Sequence, residues 1–458
     1  MATTLYLFEL KTICVLGLGY IGLPTASMFA MHGNKVVGVD INESVVATIN
    51  RGQIHIEEPG LKTIVSAAIH SGNLRASTKP VKADVFILAV PTPFREGKQA
   101  DMSYVESAAR AIVPHLRKGN LVILESTSPA GTTAKLILPI LRESKLDVEK
   151  DLYVAHCPER VLPGRILEEL IANDRIIGGI NPESAEQAAA LYRCFVTGSI
   201  YCTDATTAEL SKLVENTYRD VNIALANELA VICEKLGVNV WDVITMANKH
   251  PRVNIHRPGP GVGGHCISVD PWFIVADFPE DAQIIATARR RNDTMPHHVL
   301  KKVQEILEGV ENPRIAILGV AYKGNVDDTR ESPAVEIIEQ LLHGNALGKG
   351  VGRPKITIYD PHVKHFDHEL SAFEDAFRGA DLIILLTDHN EYRYLDPSSI
   401  GELVRTRRIF DTRNCLNREK WEKAGFATYL IGDGQTKAPA PKAAPARAKQ
   451  PATKKPVK

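Results

Sequence analysis

The chain has 458 residues, with 54 basic and 54 acidic side chains and 44% hydrophobic residues. That length suits two or three domains with substantial cores, and the charge balance excludes a general attraction to nucleic acid or membrane surfaces. No apolar run reaches the length of a membrane span, and the N-terminus lacks the features of a signal peptide. Seven cysteines without CxxC spacing point to reduced thiols in a cytoplasmic setting.

The first pattern is a short buried strand over 11–16 that runs into Gly17-Leu18-Gly19-Tyr20-Ile21-Gly22. A helical stretch over 24–31 follows, then a strand over 35–39 that ends in Asp40. Strand, GxGxxG, helix, strand and acid together read as a dinucleotide site, with Tyr20 and Ile21 inside the motif. Gly17 allows the tight turn, Gly19 lets the backbone approach a pyrophosphate, and Gly22 permits close helix packing. Asp40 suits ribose hydroxyls and repels a 2′-phosphate, and no arginine follows it, so the cofactor expected is NAD.

Further strands alternate with helical segments. A strand over 84–90 delivers Pro91 and Thr92 to the carboxyl edge of the sheet, where such sheets bind ligands. A strand over 121–124 delivers Thr127 to the same edge, beside the expected nicotinamide. A strand over 152–155 leads to Cys157-Pro158-Glu159-Arg160-Val161-Leu162, in which Glu159 is a candidate base or water holder and an ordinary loop carboxylate is the alternative.

Thr206 and Glu209 read as a capping box that opens a helix of about 30 residues ending near Gly237. Leu210, Leu213, Val214, Thr217, Val221, Leu225, Leu229 and Ile232 form its expected apolar stripe. Such a helix can bridge two domains and pair with a copy of itself in a homodimer. Lys212 and Asn216, four apart, share one of its faces, as a functional pair or a solvated edge.

Residues 257–271 hold four glycines and three prolines, which keeps them out of helix interiors and central strands. They place Cys266 on a tight backbone with little bulk around it, which leaves room for a ligand or, alternatively, makes a surface turn with a buried, inert cysteine, and Asp270 follows four residues later. A second parallel pattern starts with a strand over 314–318, and strands over 355–359, 382–386 and 408–410 follow. It lacks a GxGxxG, which argues against a second dinucleotide. Lys323 and Arg330, near strand and helix ends, suit a diphosphate, with ordinary surface charge as the alternative. Residues 436–458 are dominated by Lys, Ala and Pro, with seven basic residues and no acidic one. A disordered, solvated tail is expected there, with weak binding to anionic lipid or polymer as the alternative.

These motifs together resemble the UDP-glucose/GDP-mannose dehydrogenase family over about residues 11–432. They are Gly-Leu-Gly-Tyr-Ile-Gly-Leu-Pro (17–24), Val-Pro-Thr-Pro-Phe (90–94), Glu-Ser-Thr-Ser-Pro (125–129) and Cys-Pro-Glu-Arg-Val-Leu-Pro-Gly (157–164). To these are added His-Pro-Arg-Val-Asn (250–254), the glycine-rich Cys266 segment with Val-Asp-Pro-Trp-Phe (269–273), and Ala-Tyr-Lys with Asp-Asp-Thr-Arg-Glu-Ser-Pro (321–333). The resemblance implies an α/β fold of two Rossmann-like open parallel-sheet domains joined by a long central helix. The expected divisions are an NAD domain over 1–203, a central helical and dimerisation region over 204–300, a UDP-sugar domain over 301–435 and the tail.

The same resemblance implies oxidation of the C6 alcohol of a UDP-sugar to a carboxylate with two NAD per turnover, in the supply of cell-surface polysaccharide. Cys266 would be the nucleophile, Lys212 and Asn216 would steady the oxyanion, and Thr127 and Asp270 would hold the hydrolytic water. Glu159 matches the family's loop glutamate, and Arg160, Val161, Leu162, Arg252 and Gly263 fall in sugar-binding motifs. Lys323 and Arg330 fall in the UDP motif, and no metal is implied. UDP-glucose members often carry a second glutamate four residues after the first, where this chain has Pro163. That departure weakens a UDP-glucose reading and any role for a carboxylate pair, and the resemblance itself implies UDP-N-acetyl-D-mannosamine as the substrate, with UDP-N-acetylglucosamine the runner-up. A nucleotide-sugar-binding protein without turnover is the alternative of a different class.

Overall fold

The computed structural model describes residues 10–95, 97–343 and 353–435, so the expected tail lies outside the described residues. The chain divides into two compact units, Met1–Tyr218 with Val269–Ala286 and Arg219–Ser268 with Thr287–Lys458.

The first unit is built on eight strands: β1 (Thr12–Leu16), β2 (Lys35–Val39), β3 (Leu74–Ser77), β4 (Val85–Leu88), β5 (Asn120–Leu124), β6 (Leu152–His156), β7 (Arg175–Gly179) and β8 (Ile200–Asp204). Their order is β3-β2-β1-β4-β5-β6-β7-β8. The chain reverses its direction of strand addition between β1 and β4, the switch point where sheets of this kind open a crevice. Leu16 is in register with Val39 on one side and Leu88 on the other, so the loops after β1, β2 and β4 leave from one edge.

Side chains alternate across the sheet. Ile13, Val15, Ile87 and Ile123 pack on one face with Leu23 and Phe29 of the helix Gly22–Met31. Cys14, Leu16, Phe86, Leu88 and Val122 pack on the other with Val105 and Ile112 of the helix Ser103–Ile112. Burial on both faces explains the unbroken apolar runs that mark these strands. The parallel pattern stops at β6, because β7 pairs with it antiparallel through Ala155 and Gly179. Strands β3, β7 and β8 were not among the expected elements.

The second unit carries a five-stranded, all-parallel sheet: β9 (Arg314–Leu318), β10 (Lys355–Tyr359), β11 (Leu382–Leu385), β12 (Arg408–Asp411) and β13 (Ala427–Leu430). The order is β10-β9-β11-β12-β13, which again puts a switch point beside the first strand. Ile315 and Ile317 face one core layer and Ala316 and Leu318 the other. The helix Pro333–His343 opens on proline, as expected, since a first-turn N–H needs no helical partner.

The long helix runs from Ala205 to Leu236, 32 residues. Its start corrects the expected capping box. Asp204 is the cap: its carboxylate accepts the Thr207 N–H at 2.9 Å and the Thr207 hydroxyl at 2.6 Å. Glu209 turns inward instead and is fully buried. It accepts the N–H groups of Gly131 and Thr133, the latter at 2.7 Å, and the Thr133 hydroxyl at 2.6 Å. The Thr-x-x-Glu pattern was present, but the turn at 131–133 offers the carboxylate more donors than the helix end does.

The expected single stripe also divides. Leu213 and Thr217 are buried, whereas Leu210, Val214, Leu225 and Ile232 are exposed, together with Tyr218 and Leu236. Among the described residues no helix is long and apolar enough to cross a membrane.

Replacing Glu209 with alanine should orphan two buried N–H groups and cost on the order of 3 kcal/mol. Asp204→Ala should cost about 1 kcal/mol as a lost cap, and Thr206→Ala almost nothing. Urea unfolding midpoints rank the three; equal losses at Thr206 and Glu209 would restore the capping box.

Candidate active site

At the end of β1, Gly17 adopts φ +92° and donates its N–H to Val39 O at 2.8 Å. A side chain there would strike the Ala89 carbonyl, and one at Gly22 would strike the Gly17 carbonyl, so protein packing accounts for both glycines. Gly19 differs, because a Cβ built on it meets nothing within 4 Å. Its bareness leaves a backbone cradle of the kind a pyrophosphate needs. Tyr20 and Ile21 are half-buried in the same turn.

Asp40 follows β2 and accepts the N–H groups of Leu18 at 3.1 Å and Asn42 at 2.9 Å, one on each oxygen. Each oxygen keeps a lone pair for a ribose hydroxyl. These residues fit NAD: Gly19 would face the pyrophosphate and Asp40 the ribose. Thr92 is buried and Pro91 exposed just beyond β4, and Thr127 is half-buried beyond β5. His55 was not anticipated; it lies close enough to feel the Asp40 charge, and burial pulls its pKa down.

Beyond β6, Glu159 is buried and accepts from the Arg175 guanidinium at 3.1 Å. Arg175 is itself buried, with Glu125 3.9 Å away, the Cys157 Sγ at 3.5 Å and the Tyr192 ring 4.4 Å beneath its guanidinium carbon. Tyr192 donates its hydroxyl to Glu125 at 2.9 Å. Two buried carboxyls thus share one cation. Burial first, and then the Glu159 charge, push the Glu125 carboxyl up. Arg160 points elsewhere, to Glu215 on the long helix at 2.7 Å. Val161 is half-buried, and Leu162 is exposed.

Asn216 and Asp270 meet, and the Lys212 charge acts on the same carboxyl. Asn216 donates its Nδ2 to Asp270 Oδ2 at 2.6 Å, both residues being buried. Burial raises the Asp270 carboxyl to about 6, against the opposing pull of the Lys212 charge and the Asn216 hydrogen bond. Asp270 opens the helix Asp270–Asp277, whose Phe273 packs with Val269 and with Leu213 of the long helix. That apolar layer fixes the two helices against each other.

In the second unit the glycine-rich segment lies against the loop before Pro333. Gly264 donates its N–H to Arg330 O at 3.1 Å. A Cβ on Gly263 would collide with the Glu331 carbonyl, and one on Gly264 would stand 2.7 Å from the Tyr322 ring. Gly263, expected at the substrate, thus has a packing reason to be glycine. Cys266 is exposed in the turn that follows. Burial, then the charges of Asp328 and Cys266, push the Tyr322 hydroxyl up to about 12. Arg330 holds Asp328 in a two-point pair, Nε to Oδ1 at 2.9 Å and Nη2 to Oδ2 at 2.6 Å. Lys323 is half-buried in the same loop, while Arg252 is exposed in the segment after the helix Val240–Ala247.

Three profiles of one family match this chain in order. They are its NAD binding domain at residues 11–196, its central domain at 206–294 and its UDP binding domain at 316–418. The chain belongs to the UDP-glucose/GDP-mannose dehydrogenase family. Membership makes it an NAD-dependent nucleotide-sugar dehydrogenase, which sets aside a binding protein without turnover. It is 52% identical over 436 residues to the UDP-N-acetyl-D-mannosamine dehydrogenase of Methanococcus maripaludis, covering 93% of this chain and 98% of the relative. It is 50% identical over 425 residues to the NDP-N-acetyl-D-galactosaminuronic acid dehydrogenase of Ralstonia nicotianae, covering 90% and 98%. The structure of a UDP-D-ManNAc dehydrogenase from Pyrococcus horikoshii superposes with a TM-score of 0.85 at 44% identity, covering 93% of this chain and all of the other.

The family's NAD domain contains the Gly17–Gly22 turn and Asp40. Its central domain contains Lys212, Asn216, Arg252, Cys266 and Asp270, and its UDP domain Lys323 and Arg330. Arg175, Glu125 and Tyr192 were missed on the sequence. An arginine opening an otherwise apolar strand, Arg-Ile-Ile-Gly-Gly, was the available signal.

The Asp270 carboxyl carries a stability consequence. Its folded pKa is raised above the ordinary 3.8 to about 6, so the folded state holds the proton more tightly. Its contribution is fully present below about pH 4 and lost as pH rises through about 6. Asp270→Asn should therefore be more stable than wild type at pH 7, by up to ~3 kcal/mol, and no more stable at pH 4. Urea midpoints at the two pH values check this; a gap independent of pH would refute the buried titration.

Proposed function

We propose that the chain oxidises the C6 alcohol of UDP-N-acetyl-D-mannosamine to the corresponding uronate in two oxidation steps. The observation that carries the chemistry is the buried Asn216–Asp270 pair on two packed helices, under the charge of the half-buried Lys212, with Cys266 four residues before Asp270. The choice of sugar rests on the relatives and on Pro163, which stands where UDP-glucose members often have a second glutamate.

NAD, when bound, supplies the hydride acceptor for each oxidation. The Cys266 thiolate adds to the aldehyde from the first oxidation, and the resulting thiohemiacetal keeps it from leaving. Lys212 and the Asn216 amide stabilise the negative oxygen that forms. The second oxidation converts the adduct to a thioester. Water held by Thr127 and Asp270 then cleaves it, the carboxylate of Asp270 taking the proton. Glu159, fixed by Arg175, stands ready as a second acceptor. Arg160, Val161, Leu162, Arg252 and Gly263 line the sugar motifs, and Lys323 and Arg330 bind the diphosphate.

The 50% identity to an enzyme named for N-acetyl-D-galactosaminuronic acid favours a second reading, another epimer of the same 2-acetamido sugar. A panel of UDP-N-acetylmannosamine, UDP-N-acetylglucosamine, UDP-N-acetylgalactosamine and UDP-glucose separates the two. Two NADH per UDP-N-acetylmannosamine, with no free aldehyde, is the expected result. Cys266→Ala should still bind nucleotide and sugar but lose acid production by at least ~100-fold. Full acid production without Cys266 would exclude the covalent route, and preference for another sugar would move the substrate.

The homodimer is proposed through the long helix. Its exposed Leu210, Val214, Tyr218, Leu225, Ile232 and Leu236 recur at spacings of four and seven residues, as in a helix-pairing seam. Leu225→Lys should yield monomers or insoluble protein in light scattering. A wild type that is monomeric and active would end this proposal.

A further inference from the structure

The two sheets share one device. After β1, Gly17 at φ +92° donates to Val39 O, the Leu18 N–H reaches Asp40 Oδ2 at 3.1 Å, and the Asn42 N–H reaches Oδ1 at 2.9 Å. After β9, Gly319 at φ +90° donates to Tyr359 O at 2.8 Å. The Val320 N–H then reaches Asp360 Oδ2 at 2.8 Å, and the His362 N–H reaches Oδ1 at 2.9 Å. Asp360 is thus the structural counterpart of Asp40, the acid that reads a ribose in sheets of this kind.

The counterpart is covered. His389 is wholly buried and donates Nε2–H to Asp360 Oδ2 at 3.0 Å. The Val320, Ala321, His362 and Val363 N–H groups take up the rest of the carboxylate. Burial works against the ionisation of Asp360, but these bonds hold its carboxyl below the usual carboxylate range. An acid so enclosed has no lone pair for a sugar hydroxyl.

The other nitrogen of His389 faces the neighbouring loop. Nδ1 accepts the Asn325 N–H at 2.9 Å, and because an amide nitrogen can only donate, the ring is the neutral Nε2–H tautomer. Asn325 sits at φ +62°, and its Oδ1 accepts the Asn390 N–H at 2.9 Å. Thr387 donates its hydroxyl to Ala321 O at 2.7 Å. Residues 387–390 thus grip residues 321–325 at three points, and that segment carries Lys323. His362 and Glu391 stand near enough to His389 to suggest a metal, but both His389 nitrogens are already engaged.

We infer that His389 is a positioning residue, a latch that caps Asp360 and fixes the Tyr322–Asn325 segment in the conformation that binds the nucleotide. This rests on the reading of that loop as part of the UDP site. Holding a loop in its bound conformation removes its ordering cost from the binding step. The latch should therefore act on affinity for UDP and on the KM of the nucleotide sugar, and leave kcat at saturation unchanged.

The test uses the full chain and titrates UDP and NAD separately by calorimetry. His389→Ala should weaken UDP binding roughly tenfold or more and raise KM in step, with NAD affinity and kcat preserved. His389→Gln, which offers an acceptor and a donor in one amide, should recover part of the loss. Should the alanine variant fail to fold, Thr387→Val removes a second grip point at nearly constant volume and should weaken UDP in the same direction. Lys323→Ala separates the inference from the reading beneath it. If Lys323→Ala loses UDP and His389→Ala does not, the latch is wrong and the UDP site stands. If Lys323→Ala leaves UDP unaffected, Lys323 is not a phosphate ligand, and the latch is still decided by the alanine variant at 389. Wild-type UDP affinity in both His389→Ala and Thr387→Val overturns it.

Discussion

Two backbones in the second unit come closer than any side chain would permit, and the position of the cysteine depends on it. The Glu331 carbonyl occupies the space a Cβ on Gly263 would need, and the Gly264 N–H closes the contact on Arg330 O. The upstream end of the same segment is held by a polar spine. Gly259 donates its N–H to Asn227, Asn227 donates to Asn292, and Asn292 donates to Asp220, which also receives Arg289. Burial pushes Asp220 up to about 6 despite that guanidinium. Breaking a buried pair of this kind typically costs about 3–5 kcal/mol, because the survivor is left charged and dry. The loop before Cys266 is therefore pinned at both ends, and the exposed turn that carries the thiol inherits its place from them.

The first unit spends its electrostatics differently. Asp270 sits in a buried setting where one lysine and one amide only partly offset desolvation, and Glu125 and Glu159 divide a single arginine. Carboxyls with too little compensation are poor for stability and useful for moving protons. Both clusters lie beyond the carboxyl ends of β5 and β6 or on the helix that packs there, where open sheets bind their ligands.

The sequence showed some elements residue for residue. Strands β2, β9 and β10 match their expected ranges, because apolar runs flanked by glycine, proline or acid leave little choice of boundary. β8 escaped notice because Ile-Tyr-Cys-Thr-Asp lies half-exposed at the sheet edge and has no buried run. The capping box was misread because periodicity sees only neighbours four residues apart, and the donors that claim Glu209 lie 76 to 78 residues away. The meeting of Asn216 with Asp270, 54 residues apart, was likewise invisible to spacing and came only through the resemblance. The repeated turn at Gly319 and Asp360 was legible, a glycine after one strand and an acid after the next. The second sheet lacks the GxGxxG that makes the same turn conspicuous in the first.

The long helix ties several of these features to one register. Glu209 anchors the 131–133 turn just beyond Thr127, while one turn further along the Lys212 charge acts on Asp270 and two turns further along Asn216 bonds to it. Successive residues of an α-helix are offset by about 100°. A single residue inserted or deleted between 209 and 212 would therefore turn the anchor away from the two side chains that face Asp270. This stretch of helix can change in composition on its outer face, but its length between those residues is as constrained as the residues themselves.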